Sequence, residues 1–146
     1  MSESTTVMVI DDDEINLVAV YEALTSSGYK TICSSHPAKA LEIALKQQPD
    51  FIVLDVVMPE RSGIDVCRDL RTHPMTKDIP IILLTSSTER EHIVASLHLG
   101  CIDFLQKPLA TAELVDTIYR HDMIIKMQEA TKPAIQALEK FIKNYS

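Results

Sequence analysis

The strongest constraint on the fold of this chain is a set of short apolar runs, each about the length of one β-strand. Four such runs occupy residues 7–10, 51–54, 81–84 and, more weakly, 101–105. Each run is continuously apolar instead of alternating, which is typical of strands that are covered on both faces in a parallel sheet. A fifth, partly polar run at residues 29–33 is typical of an edge strand.

The segments between these runs have the 3.6-residue periodicity of helices. Gly28 closes the first helix, His36-Pro37 opens the second and Gly100 ends the fourth, as helix termini favour. Strict alternation of strand and helix predicts an α/β doubly wound parallel sheet with helices on both faces. The periodic positions are Ile15, Val18 and Leu24; Ala40, Ile43 and Ala44; Ile64, Cys67, Leu70 and Arg71; Ile93, Val94 and Leu97; and Leu114, Val115 and Ile118.

The pattern changes beyond about Arg120, where helical spacing continues to the C-terminus without a further strand. Pro133 is predicted to kink or restart this helix, with Thr131 capping the new first turn. We therefore predict a domain at residues 1–122 and a helical extension or linker at 123–146. Two uses stay open, a helix packed on the domain or a signalling or dimerising linker. The apolar residues of the extension are Ile124, Ile125, Ile135, Leu138, Phe141 and Ile142.

Charge and targeting signals restrict the partners. The 146-residue chain has 14 basic and 21 acidic residues, a net charge of −7, which disfavours direct binding to nucleic acid and favours a protein partner or a cation. The N-terminus is polar and acidic, and no run approaches the length of a membrane span. We expect a cytoplasmic protein that does not enter a membrane.

Cysteine and glycine usage exclude two other classes of site. The three cysteines, Cys33, Cys67 and Cys101, are odd in number and form no Cys-x-x-Cys pair, so we expect reduced thiols with structural roles. The three glycines are too dispersed to form a Gly-rich loop that binds phosphate. Most nucleotide-binding functions are therefore excluded.

Polar residues follow the predicted strands at the points where chemistry is expected. Asp11 and Asp12 follow the first strand, Asp55 ends the third, Thr85 ends the fourth, and Lys107 follows the fifth. The carboxyl ends of parallel strands share one edge of a sheet, so these groups should converge there. Each residue alone has a plainer explanation, since acids and threonines often cap helices and loop lysines are usually solvated.

Three converging carboxylates repel one another unless a cation neutralises them. Oxygen ligands without histidine or cysteine favour Mg²⁺, with Mn²⁺ as a substitute. An aspartate beside such an ion can attack a phosphoryl group while an ammonium and a hydroxyl bind the remaining oxygens. The position of Asp55 suits it to be that nucleophile.

These motifs resemble the receiver domains of two-component signalling, the CheY-like response regulators, over about residues 6–122. The resemblance rests on VMVIDDDEINL, VLDVVMPERSG, ILLTSS and DFLQKP, in that order and at matching spacing. It implies a flavodoxin-like fold with five parallel strands in the order 2-1-3-4-5. It also implies a switch, phosphorylated by a histidine kinase or a phosphotransfer protein, in place of an enzyme with an external substrate.

The resemblance assigns roles residue by residue. Asp55 would accept the phosphoryl group, while Asp11, Asp12 and the Val57 carbonyl would bind Mg²⁺, Asp11 directly or through water. Thr85 and Lys107 would hold the phosphoryl group, and the Lys107-Pro108 bond matches one that is often cis. Phe104 would be the switch aromatic. A partner, an output domain or a second copy would bind through the fourth helix, fifth strand and fifth helix, or through the C-terminal helix.

Some positions depart from the family pattern or leave rivals open. Asp13 is an additional acid that we expect to cap a helix instead of binding metal. Val57 and Ser87 stand where the family tunes dephosphorylation, and neither activates water strongly, so we expect a modest intrinsic rate. An aspartyl phosphatase of the haloacid dehalogenase type would need a second acid where Val57 stands. A pseudo-receiver that never takes phosphate is the other rival.

Overall fold

A computed structural model of the chain describes residues 5–86 and 90–145 and contains one five-stranded parallel sheet in that part. The strand order is β2-β1-β3-β4-β5, so the predicted fold class and order are confirmed. Every neighbouring pair of strands is parallel. The strands are β1 (Thr6–Ile10), β2 (Lys30–Ser34), β3 (Phe51–Asp55), β4 (Ile81–Thr85) and β5 (Asp103–Gln106).

Helices alternate with these strands as the periodicity predicts. A single turn of 3-10 helix, Pro37–Lys39, precedes the second helix. Gly28 and Gly100 adopt positive φ angles of 95° and 75° just beyond two helix C-termini, where glycine is favoured because it lacks a Cβ. The helices are α1 (Glu14–Ser26), α2 (Ala40–Gln47), α3 (Gly63–Thr72), α4 (Arg90–His98) and α5 (Thr111–Tyr145).

The core lies on both faces of the three central strands. Every residue of β3 and β4 is buried, as are residues 7–10 of β1, whereas β2 at the sheet edge is partly exposed. Continuous burial explains why these strands read as uninterrupted apolar runs. The core cluster also includes Ala40 and Ala44 of α2 together with Ile64, Cys67 and Leu70 of α3.

The periodic apolar positions of α1 do not mark its buried face at two of the three positions. Ile15 is 82% exposed and Val18 58%, while Leu17, Val20 and Leu24 are buried. Nearly every position from 15 to 20 is apolar, so periodicity alone does not select the face that meets the sheet.

The predicted apolar face of α4 is also exposed where the structure describes it. Val94 is 56% and Leu97 62% exposed, and the side chain of Ile93 lies outside the described residues. In α5 the prediction fares better, because Leu114 and Ile118 are buried. The exposed α4 residues therefore belong to a surface instead of the core.

Of the two outcomes predicted at Pro133, a kink or a restart, the restart is wrong, since α5 is one helix with Pro133 inside it. Thr131 caps no new turn; its hydroxyl donates to the carbonyls of Met127 at 3.1 Å and Gln128 at 3.0 Å. Proline lacks an N–H and therefore leaves one carbonyl of the preceding turn without its helical donor.

The chain divides into two compact units, Met1–Val115 and Asp116–Ser146.

Candidate functional site

The sheet register brings the predicted site residues to one edge. Ile10 pairs with Leu54, which sets Asp11 beside Asp55, and Asp55 in turn pairs with Leu84. Backbone hydrogen bonds continue past the strand ends, from Val56 N to the Leu84 carbonyl at 3.0 Å. The convergence predicted from strand ends is therefore a consequence of register.

The three acidic residues form a group that suits a cation. Asp11, Asp12 and Asp55 each offer a carboxylate oxygen, and these oxygens all lie within 4.8 Å of one another. Asp11 and Asp55 are each only 2% exposed, while Asp12 is exposed. A donor set made only of oxygens, with one side open to solvent, fits Mg²⁺ with retained waters.

Asp55 accepts hydrogen bonds from two groups that follow it in the chain. Its Oδ1 accepts from Lys107 Nζ at 2.6 Å and from the Val57 backbone N–H at 3.3 Å. The Lys107 side chain is 32% exposed, against 3% for that of Asp55, so a buried carboxylate meets an ammonium that reaches it from the surface. Such a charge-assisted bond offsets part of the cost of burying the carboxylate.

The pKa of the Asp11 carboxyl reflects its burial and its proximity to Asp55. Burial raises the pKa of its carboxyl to about 6, and the charge of Asp55 adds to that rise. A hydrogen bond from the Asp13 backbone N–H to Asp11 Oδ1, 2.9 Å long, acts in the opposite direction. A cation bound beside this carboxyl would favour its ionised form and so relieve the cost of its burial.

Thr85 and Lys107 are joined through their backbones. The Lys107 N–H donates to the Thr85 carbonyl at 2.7 Å, which fixes the end of β5 against the end of β4. Thr85 is buried, and its hydroxyl donates to the Ser86 carbonyl at 3.2 Å. The Lys107-Pro108 bond is cis, as the resemblance implies. Ser87 lies outside the described residues.

Asp13 is confirmed as a helix cap. It is the N-cap of α1, and its Oδ1 accepts from the backbone N–H of Ile15 at 2.9 Å and of Asn16 at 3.4 Å. An aspartate at this position satisfies donors that the first helical turn leaves open. Of the four consecutive acids at 11–14, the first two belong to the acidic group, the third caps α1 and the fourth begins that helix.

The structure reveals a role for Gly63 that the sequence showed only as a motif position. Its N–H donates to the Val56 carbonyl at 2.7 Å at the start of α3. A Cβ here would overlap the Asp55 carbonyl oxygen and lie 2.9 Å from Val56 Cα. Glycine therefore lets α3 approach the backbone that carries Asp55, and the spacing from Asp55 was the signal that could have indicated it.

Phe104 lies on β5 and pairs with Leu83 of β4. Leu83 precedes Thr85 by two residues, so Phe104 lies near the end of β4 that carries Thr85. Its side chain is 45% exposed, so it is not an ordinary core phenylalanine. We define the α4–β5 surface as its exposed apolar residues Val94, Leu97, Ile102 and Phe104. Three of these line a small surface cavity of about 120 Å³.

Comparison with known proteins identifies the family. Residues 7–119 match the response regulator receiver domain, and the chain belongs to that family. The chain is thus a receiver domain of a two-component system, and its acidic group is consistent with Mg²⁺-dependent phosphorylation of an aspartate. Receiver domains are phosphorylation switches, not enzymes that turn over an external substrate, and they imply a histidine kinase as partner.

Two relatives of known identity are both named response regulators. The chain is 36% identical over 112 residues to the response regulator MprA of Mycobacterium leprae (strain TN), which covers 77% of this chain and 48% of that protein. It is 37% identical over 106 residues to the response regulator PleD of Caulobacter vibrioides, covering 73% of this chain and 23% of PleD. The chain therefore spans about half the length of the first relative and about a quarter of the second.

Solved structures agree on the fold, and one of them holds a metal ion. Chemotaxis protein CheY4 of Vibrio cholerae superposes with a TM-score of 0.76 at 28% identity, covering 81% of this chain and 98% of that one. The receiver domain of a sensor histidine kinase from Pseudomonas aeruginosa PAO1 superposes with a TM-score of 0.72 at 26% identity, covering 81% and 97%. The latter holds a magnesium ion coordinated in its active-site cleft.

One further test concerns the membrane. Among the helices in the described part of the chain, none combines the length and the apolar character needed to cross a bilayer.

Proposed function

We propose that Asp55 is the phosphoacceptor and that Asp11, Asp12 and the Val57 carbonyl bind Mg²⁺ beside it. The observation that carries this proposal is the meeting of three carboxylates with the Lys107 ammonium, 2.6 Å from Asp55 Oδ1. Asp11 and Asp12 beside the Asp55 carboxylate repel it, and the single Lys107 ammonium does not balance three negative charges. A bound Mg²⁺ supplies positive charge that screens the approach of an anionic phosphoryl group.

The transfer needs one bond to form and one to break. An Asp55 carboxylate oxygen attacks the phosphorus, and the bond from phosphorus to the donor breaks, either to a histidine nitrogen of a kinase or phosphotransfer protein or to the acetyl oxygen of acetyl phosphate. The leaving group keeps the bonding electrons. Lys107 then exchanges its bond with Asp55 for one with a phosphoryl oxygen, and Thr85 donates its hydroxyl to another.

Phosphorylation adds charge and acceptor oxygens that the apo site lacks. We propose that Thr85 turns toward the phosphoryl group and that Phe104, near it on the adjoining strand, changes position in response. Such a population shift changes the α4–β5 surface. A partner protein or output domain recognises that altered surface, and the net charge of −7 argues against nucleic acid as the direct ligand.

We propose that residues 1–122 form the receiver domain and 123–146 a helical extension that pairs with a second copy. The family match ends at residue 119, close to this boundary. Ile135, Leu138, Ile142 and Tyr145 are exposed and spaced by three, four and three residues. Isoleucine and leucine at alternating positions of such a seam favour two-stranded coiled coils.

A light-scattering mass measured with and without beryllofluoride tests the pairing. We expect a dimer that Leu138→Ser combined with Ile142→Ser converts to a monomer. Glu139→Gln, between them on the same helix, is the matched control and should leave the mass unchanged. A monomer at every concentration, in both states, contradicts the pairing and leaves the helix as a linker to an output domain.

The proposed cellular compartment rests on the expected histidine kinase partner. We propose that the protein acts in the cytoplasm, where kinases with access to ATP phosphorylate their targets. The three reduced cysteines are consistent with that compartment.

The phosphoacceptor is tested by labelling with acetyl phosphate and Mg²⁺, followed by intact mass measurement. Wild-type protein should gain one phosphoryl group, and Asp55→Asn should gain none. Asp13→Asn is the matched control, because asparagine caps a helix as well as aspartate and the residue lies just beside the site. Equal labelling of Asp55→Asn and wild type would refute the assignment, and failure of Asp13→Asn to label would place the acceptor or a ligand elsewhere.

The proposed rate of phosphoryl loss is a separate property. Val57 offers no group that positions a water, so we expect a modest intrinsic dephosphorylation rate in Mg²⁺. Decay of the labelled mass within seconds would contradict this, and faster decay in Val57→Glu would support it.

A further inference from the structure

Two of the three cysteines lie close together away from the acidic site. Cys67 Sγ on α3 is 3.5 Å from Cys101 Sγ in the segment between α4 and β5, although the two are 34 residues apart in the chain. Both are reduced. A disulfide bond is about 2.05 Å long, so a modest side-chain movement separates the present contact from a covalent bond.

Arg71, one turn after Cys67 on α3, holds the segment that carries Cys101. Its guanidinium donates to the Leu99 carbonyl at 2.7 Å and to the Gly100 carbonyl at 3.3 Å. On the other side of Cys101, the Ile102 N–H donates to the Ile81 carbonyl at 2.9 Å. Cys101 is therefore fixed from both sides in front of Cys67.

The two thiols differ in access. Cys67 is fully buried, whereas Cys101 is partly exposed and lines the cavity of about 120 Å³ beside Phe104. A single water needs about 10–15 Å³ of such space, so the cavity admits a small oxidant to Cys101. The remaining lining residues are Leu97, Ile102 and Asp103.

The Cys67 thiol also differs in its acidity from the thiol of Cys33. The side-chain hydrogen bond with Cys101 lowers the pKa of the Cys67 thiol; burial opposes this, and the charges of Arg71 and Arg68 lower it further. Cys33, on the edge strand β2, shows the opposite, since burial raises the pKa of its thiol. Thiolates are the attacking species in disulfide chemistry, which favours Cys67 as the resolving residue.

We propose that Cys67 and Cys101 are a peroxide-responsive pair that forms an intramolecular disulfide between α3 and the α4–β5 connection. Cys101 sulfur attacks one oxygen of hydrogen peroxide, the O–O bond breaks, and the thiol becomes a sulfenic acid as one water leaves. Cys67 sulfur then attacks the Cys101 sulfur, and the sulfenic oxygen leaves as a second water. Two thiols are oxidised and one peroxide is reduced to two waters.

The bond would tie α3 to the segment that leads into β5, where Phe104 lies. It would therefore restrain the α4–β5 surface without touching the acidic residues. The proposal does not depend on phosphorylation, and Asp55→Asn should form the disulfide as readily as wild type.

The test counts thiols in the full chain after peroxide treatment. Reduced protein, alkylated in denaturant, should carry three labels, whereas treated protein should carry one, on Cys33. Peptide mapping should find Cys67 joined to Cys101, and a dithiol reductant should restore all three labels. Cys33→Ser is the matched control and should lose two labels on oxidation, as wild type does.

Two variants separate the pair from general thiol oxidation. Cys101→Ser should form no intramolecular disulfide, and because Cys101 is partly exposed this change should leave the fold intact. Arg71→Lys should slow disulfide formation several-fold, since an ammonium cannot hold both carbonyls as the guanidinium fork does. Retention of Cys67 alkylation after treatment, a bond that includes Cys33, or only intermolecular bonds would each overturn the proposal.

Discussion

The carboxyl edge of the sheet and the α4–β5 surface share only strand β5 and are built in opposite ways. At the edge, Asp11, Asp55 and Thr85 are buried, and backbone bonds such as Lys107 N–H to the Thr85 carbonyl fix the ends of the strands. On the surface, apolar side chains such as Leu97 and Phe104 are exposed and leave room for a cavity.

The carboxyl edge is therefore suited to chemistry, and the α4–β5 surface is suited to recognition of a partner. A buried polar cluster is costly unless its partners are held in place, so it needs register and close packing. An exposed apolar surface gains free energy only when a partner covers it. Changes at the edge should therefore alter metal binding and stability, whereas changes on the surface should alter only association.

The largest expected effect concerns Asp11 and pH. With its pKa raised from 3.8 to about 6 in the folded protein, Asp11 contributes stability that is full below pH 3.8 and is lost as the pH rises through about 6. The loss by pH 7 is about 3 kcal/mol in the metal-free protein. Thermal unfolding from pH 4 to 7 should show this decline in wild type and not in Asp11→Asn.

Mg²⁺ should reverse the loss of stability that accompanies rising pH, because it binds only the ionised carboxylate. We expect excess Mg²⁺ to raise the melting temperature strongly at pH 7.5 and weakly at pH 5, below the pKa of Asp11. An equal rise at both pH values would mean that Asp11 does not bind the ion or does not titrate in this range.

A smaller effect is expected from Gly63→Ala, which tests how closely α3 must approach Asp55. The new methyl group meets backbone atoms that cannot turn aside, so the variant should lose about 1–3 kcal/mol in denaturant unfolding and label more slowly with acetyl phosphate. Gly28→Asn is the control for labelling, because its φ of 95° strains a side chain and costs stability, whereas no atom lies within 4 Å of a Cβ there. Similar losses in labelling for both variants would contradict the role of close packing at Gly63.

The smallest effect on the protein itself is expected on the α4–β5 surface. Leu97→Gln removes an exposed side chain and should change the free energy of unfolding by no more than about 0.5 kcal/mol, with unchanged acetyl phosphate labelling. Binding of a partner to the phosphorylated protein, measured by calorimetry, should weaken. Loss of labelling would show that this surface is not separate from the chemistry.

Sequence patterns predicted most of the fold and the convergence of the polar residues at one edge of the sheet. Continuous apolar runs identified the central strands, because parallel strands covered on both faces need no polar alternation. Asp13 was recognised as a cap, because an acid just before a helix meets open N–H groups. Patterns failed on α1, where the apolar residues are too dense to define one face. At Pro133 the restart, one of the two predicted outcomes, does not occur, because α5 continues through it.

By itself, then, the sequence determined which residues end the strands, and hence that Asp11, Asp55, Thr85 and Lys107 would meet at one edge. Only the tertiary structure decided what lies close across elements: the overlap that requires glycine at position 63, the contact of Cys67 with Cys101, and the exposure of Leu97 and Phe104. The physical reason is that strand ends follow from local hydrophobic patterning. Contacts between a helix and a distant loop depend instead on how the elements pack, which no local pattern encodes.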